Sequence, residues 1–121
     1  MSPNQLPVLA AAADLLFAAR IRAAAEAVQT ELRPVRAGDD IVALARASSA
    51  RLVLLDLDAR WLDAPVAIAA LKGDPATAHI PVVAYVSHVR EDAIAAARAA
   101  GADRVLARSA FVRLLPELLR G

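Results

Sequence analysis

The chain alternates short, wholly apolar runs with longer stretches in which apolar residues recur every three or four positions. These are the patterns of buried strands and amphipathic helices. The first run, Leu6 to about Ala12, is bounded by Pro7 and Asp14, and from Asp14 an alanine-rich segment carries Arg20, Arg22 and Glu26 on a polar side. It predicts a strand and then a helix capped by Asp14, whose carboxylate would accept from first-turn amides. Glu31 to Arg36 sets Leu32 and Val35 around Pro34, and a proline, having no amide hydrogen, suits an edge strand. Gly38, Asp39 and Asp40 then open a second helix, Ile41 to about Ser48.

Leu52 to Leu57 is continuous and apolar, as expected of a central parallel strand covered on both faces. Ala64 to Lys72 predicts a short helix stopped by Gly73 and Pro75, Pro81 to Val86 a strand, and Arg90 to Ala100 a helix ending at Gly101. Arg104 to Ala107 predicts the last strand and Ala110 to Leu119 the last helix, with Ser109 as its cap. Pro116 inside that helix should kink or restart it. Five strands alternating with five helices predict an α/β, three-layer, doubly wound parallel sheet. Sites in such sheets form outside the carboxyl ends of the strands, where the strand order switches. Asp56, the charge that closes an apolar run, stands at one of those ends.

At 121 residues the chain fits a single domain, 1–121. Its apolar content of 59% is largely alanine, and aromatics make up 3%, so the expected core is aliphatic. Net charge is +1, with arginines scattered along the chain, which argues against nucleic acid as a partner because that needs a basic stripe. Cysteine is absent, excluding disulfides, thiolate metal ligands and a cysteine nucleophile, and a cytoplasmic location is expected. No apolar run approaches the roughly 20 residues that cross a bilayer, so no membrane role is expected. Leu9 to Ala13 does not read as a signal peptide, since no basic residue precedes it and Asp14 interrupts it.

Three separated motifs then carry a resemblance. The segments LKGDPATAHIPV (Leu71–Val82), LLDL around Asp56 and AGADRVLAR (Ala100–Arg108) closely resemble response-regulator receiver (CheY-like) domains of two-component systems. The resemblance covers nearly the whole chain and is strongest from Arg51 to Phe111. It implies the flavodoxin-like (βα)5 fold with strand order 2-1-3-4-5. It also implies phosphoryl transfer from a histidine kinase to the aspartate matched by Asp56, assisted by Mg²⁺ on two acids after the first strand, a hydroxyl after the fourth and a lysine after the fifth. Mg²⁺ belongs there because a hard cation with oxygen ligands offsets charge on the phosphoryl oxygens.

Position by position the sequence departs from that plan. Ala11, Ala12 and Ala13 stand where the acids belong and Asp14 follows them, so depending on register one acid or none remains. The hydroxyl position is Val86, and Ser87, one residue late, should face the other way in a strand. Arg108 replaces the lysine and Ser109 the proline after it; Arg60 and Ala64 replace a proline and a glycine beyond the aspartate; Val105 replaces the aromatic switch residue. An arginine here would pair with Asp56 by a bidentate fork. The expected function is therefore a stand-alone pseudo-receiver in a phosphorelay, not an enzyme, with Asp56 phosphorylated weakly or not at all. No cofactor is expected beyond weak Mg²⁺, held by Asp14 and Asp56 if at all. Its partner would be a protein such as a histidine kinase, an output protein or a second receiver, with a homodimer through the α4-β5-α5 face as receivers generally use.

Two alternatives stay open: a working phosphoacceptor at Asp56, using Asp14 and perhaps Asp58 for the metal, and a small flavodoxin-like enzyme or cofactor-binding domain. The plain readings are that Asp56 is a strand-end charge facing water, Asp14 a helix cap, and Arg60 and Arg108 solvated or paired with acids such as Asp58 and Asp63. His79 and His88 flank one strand and read as surface residues, not a metal pair. Ser87 beside His88 has no acid positioned by spacing and makes a weak hydrolase. Trp61 is either a partner contact or packed onto a helix.

Overall fold

A computed structural model describes residues 6–121. Five parallel strands, β1 (Val8–Ala11), β2 (Leu32–Pro34), β3 (Leu52–Asp56), β4 (Val82–Val86) and β5 (Arg104–Ala107), lie in the order β2-β1-β3-β4-β5. Five helices connect them: α1 (Leu15–Ala27), α2 (Ile41–Ser48), α3 (Ala64–Gly73), α4 (Glu91–Ala100) and α5 (Arg108–Arg120). The alternating pattern predicts this three-layer, doubly wound parallel sheet, and its strand order is the flavodoxin-like one that the resemblance implies. Registers Ala11↔Leu55 and Asp56↔Tyr85 bring the carboxyl ends of the three central strands level with one another.

β1, β3 and β4 are buried at every residue, so their unbroken apolar runs follow from having a helical layer on each face. On one face Phe17 and Ile21 of α1 and Phe111, Leu115 and Leu119 of α5 pack with Leu54 and Tyr85. On the other Ala45, Ile68, Leu71 and Ala97 pack with Leu9, Val53 and Leu55. In α1 the buried positions are Phe17, Ile21 and Ala25, a stripe four residues apart that turns the remaining positions outward. Asp14, Asp40 and Asp63 each cap the helix that follows, accepting from the amides of Phe17, Ala43 and Val66.

Several element ends shift by a residue or two from expectation, and three differences have a physical reason. Gly73 closes α3 as a helical residue, with Asp74 after it. The last helix begins at Arg108, directly from β5, with Ala107 rather than Ser109 at the cap position and no side-chain cap bond; with no loop between strand and helix, Ser109 falls inside the first turn. Pro116 neither ends nor restarts α5, which is continuous to Arg120. An interior proline costs about 3 kcal/mol, but Phe111, Leu115 and Leu119 are buried on both sides of it, and burying side chains of that size contributes roughly 1.5–3 kcal/mol each. Tertiary packing therefore outweighs the lost backbone bond. Beyond the proline, Thr30 Oγ1 donates to the Leu119 carbonyl at 2.5 Å and the Arg51 guanidinium donates to Leu118 and Leu119, which satisfies carbonyls that a helix end leaves open.

Candidate functional site

Asp56, the last residue of β3, is wholly buried, so it does not face water as the plain reading has it. A carboxylate survives burial only with partners for its oxygens. The loop after β1 supplies the Ala13 amide, which donates to Oδ2 at 2.9 Å, and the loop after β3 supplies the Asp58 amide, which donates to Oδ1 at 2.9 Å. Arg108, at the start of α5, reaches Oδ2 with Nη2 at 3.3 Å.

The expected fork between Arg108 and Asp56 does not form: one guanidinium nitrogen makes the contact, and Nε is buried without a partner. The guanidinium lies instead on Phe17, 4.2 Å above the ring centroid. That cation–π contact holds the guanidinium over the ring while one of its nitrogens reaches the carboxylate. Beneath it Phe17 and Tyr85 lie 5.3 Å apart by centroid, and Tyr85 stacks on Phe111 at 4.0 Å. Three of the four aromatic residues thus gather under the arginine. The Tyr85 hydroxyl is buried with no hydrogen-bond partner, and burial, together with the nearby negative charge of Asp56, pushes its ionisation far above the ordinary phenol value. Sequence reasoning missed this cluster. Its signal was parity: on β4, Tyr85 must face opposite to Val86, toward α1 and α5.

The other candidate positions are drawn in unequally. Asp14 is exposed and its Oδ1 accepts from the Phe17 amide at 2.8 Å, so it acts as a helix cap. Ala13 contributes a backbone amide where an acid would contribute oxygens. Val86 is buried and brings no hydroxyl. Val105 is half-buried against the aliphatic core. Ser87 is exposed, and its amide donates to Asp58 Oδ2 at 2.8 Å. Asp58 pairs with Arg90 at 3.2 Å, not with Arg60, which forms no ion pair among the described residues. Arg90 also donates to the Leu57 carbonyl at 2.8 Å. Burial pushes the Asp58 carboxyl up, but hydrogen bonding from Ser87 and the charges of Arg90 and Arg108 outweigh it and hold the group below its ordinary value. His79 and His88 are both exposed, on opposite flanks of β4.

This donor set does not fit the Mg²⁺ centre that the resemblance implies. Mg²⁺ needs near-octahedral oxygen ligands and gives up water reluctantly. Among the described residues no three acidic or histidine side chains converge to hold a metal, the Asp56 oxygens are taken by two amides and a guanidinium, the Leu57 carbonyl and Asp58 Oδ1 by Arg90, and Asp58 Oδ2 by the Ser87 amide.

The chain is similar to the phosphorylated cyanobacterial phytochrome response regulator RcpA, with 23% identity over 97% of this chain and 90% of that one and a TM-score of 0.73. It is similar to a response regulator from Hahella chejuensis at 21% identity, 93% and 91% coverage and a TM-score of 0.80. A Mn(2+)-bound form of the response regulator Rcp1 gives 21% identity, 95% and 89% coverage and a TM-score of 0.68. No family model and no curated protein matches the sequence. The likenesses establish the fold as that of response-regulator receiver domains. Among the described residues no helix is long and apolar enough to cross a membrane.

Proposed function

We propose that this protein is an atypical receiver domain of two-component signalling that works by contact with other proteins and is phosphorylated at Asp56 weakly or not at all. The observation that supports this reading best is the Arg108–Asp56 contact: a fully buried carboxylate whose Oδ2 takes both a guanidinium and an amide, beside a loop that offers Ala12 and Ala13 in place of acids. An attacking carboxylate oxygen must be free for in-line approach, and the charge gathering on the phosphoryl oxygens needs a metal or an equivalent clamp. Here the permanent cation occupies the nucleophile itself. Partners are a histidine kinase, an output protein or a second receiver. The α4-β5-α5 face suits such contacts, since α4 buries only Ala97 and β5 is an edge strand that leaves Val105 and Leu106 half-exposed.

Incubation with phosphoramidate and Mg²⁺, followed by intact mass, tests the reading with Asp56→Asn alongside. The expected result is that neither protein gains a phosphoryl group in more than a minor fraction of molecules. A phosphoryl group gained by most of the wild type and absent from Asp56→Asn would restore the working phosphoacceptor.

A further inference from the structure

A cleft of about 320 Å³ opens between α1 and β2 beside the Asp56 corner. It is lined by the small side chains of Ala10, Ala12, Ala18 and Pro34, by Trp61, and by the exposed Arg22 and Arg36. A narrower extension runs on along α1 to Ile21 and Leu32. The space exists because alanines occupy positions where larger side chains would fill it.

Charge and exposure then limit what fits. Arg22 and Arg36 are exposed, and neither forms an ion pair among the described residues. The one acid lining the cleft, Asp14, is engaged as the cap of α1. The cleft therefore offers two guanidinium groups that make no ion pair, against a single carboxylate, beside apolar side chains. Its rim is apolar as well: Leu15 is 89% exposed and Trp61 37%. Guanidinium groups favour carboxylates through paired hydrogen bonds, while the alanines and the indole favour a branched or aromatic side chain. A basic ligand would be repelled, and a small inorganic anion would leave the apolar lining uncovered.

We propose that this cleft is a docking site for an acidic segment of a partner protein, one that places a leucine- or phenylalanine-type side chain over Ala12 and Ala18 and its carboxylates on Arg22 and Arg36. The proposal rests on the signalling reading only in that the partner is a protein. It gives that reading a surface distinct from the α4-β5-α5 face. Ala13, whose amide holds Asp56, lines the same cleft, so an occupant would sit directly against the loop that fixes the carboxylate.

The test selects a displayed random-peptide library on the full chain, with counter-selection against Arg22→Glu/Arg36→Glu, two exposed substitutions whose folding is checked by circular dichroism. Selected peptides are then titrated while the emission of Trp61, the sole tryptophan, is followed. The expected peptides combine Asp or Glu with Leu or Phe, shift Trp61 emission, and bind the charge-reversed variant about tenfold or more weaker, a loss of roughly 1.4 kcal/mol. Selected peptides without acidic residues, equal binding to both proteins, no enrichment on the wild type, or an unmoved Trp61 signal would each overturn the proposal. Because no phosphodonor is present, failure here leaves the phosphorylation result untouched, and the reverse.

Discussion

Two corners of the sheet treat their polar residues in opposite ways. At the amino ends of β4 and β5, Lys72 donates to the carbonyls of Ala78 and Ile80 and pairs with Asp103 at 2.8 Å, and Asp103 accepts from the Val82 amide at 2.7 Å. Thr77, wholly buried, donates to the Leu71 carbonyl at 2.7 Å, and Gly101 makes the left-handed turn out of α4 against Lys72. Each of these groups fastens backbone to backbone. At the carboxyl ends, Asp56 and Arg108 hold one another by a single contact, and two buried atoms, Tyr85 Oη and Arg108 Nε, have no partner. The first corner keeps the LKGDPATAHIPV and AGAD patterns through which the sequence resembles receivers. The second is where it departs from them. Turn geometry and packing make demands on the first set of residues, whereas the resemblance assigns metal and phosphoryl chemistry to the second, and there the sequence differs from the receiver pattern.

Substitutions can break this contrast or sharpen it. The largest effect is expected from Thr77→Val, which keeps the side-chain shape and strands a buried carbonyl; urea denaturation should show a loss of about 2 kcal/mol. Gly101→Ala places a side chain at φ +113°, with its Cβ 3.0 Å from Lys72 Cγ, and should cost about 1–2 kcal/mol in the same measurement. At the other corner Arg108→Met should cost less, about 1 kcal/mol, because Asp56 keeps two amide donors and Arg108 is itself partly solvated. Asp56→Asn combined with Arg108→Met should recover part of that loss, because the neutral amide needs no counter-charge while its oxygen still accepts from a loop amide. A larger loss for Arg108→Met than for Thr77→Val would invert the comparison.

The smallest expected effect concerns pH. Burial raises the Asp103 carboxyl, but Lys72 and the Val82 amide outweigh it, so the folded group lies below its ordinary value, as does Asp58. A depressed folded value contributes stability above the unfolded value of about 4, and that contribution fades as pH falls through the folded one. Acid titration of stability should therefore be shallower below about pH 4 in Asp103→Asn than in wild type. An unchanged acid limb would remove Asp103 from the bonded corner.

Much of the fold was legible because it rests on local patterns. Unbroken apolar runs marked β3 and β4, Asp14 and Asp40 marked helix starts, and Gly101 marked a stop. Where those signals misled, a long-range term decided: the packing of α5 carried it through Pro116, and the direct passage from β5 made Ser109 an ordinary helical residue. The site was legible as positions and less so as contacts. Asp56 and Arg108 could be named from order along the chain, but the guanidinium rests on Phe17, which lies 91 residues before Arg108 and meets it only because α1 and α5 share a face. The Trp61 cleft was equally out of reach, since its walls come from α1, β2 and the loop after β3.

The sequence by itself determined the alternation of strand and helix, the strand-end placement of Asp56 and the scarcity of metal-binding oxygens around it, since hydrophobic period, capping and side-chain chemistry are all local properties. Tertiary structure alone decided that Asp56 is sealed from water, that Arg108 lies on an aromatic stack and offers it one nitrogen, and that two arginines without ion pairs line a cleft with alanines. Those outcomes depend on which distant side chains share a face of the sheet, and packing sets that only after the layers close.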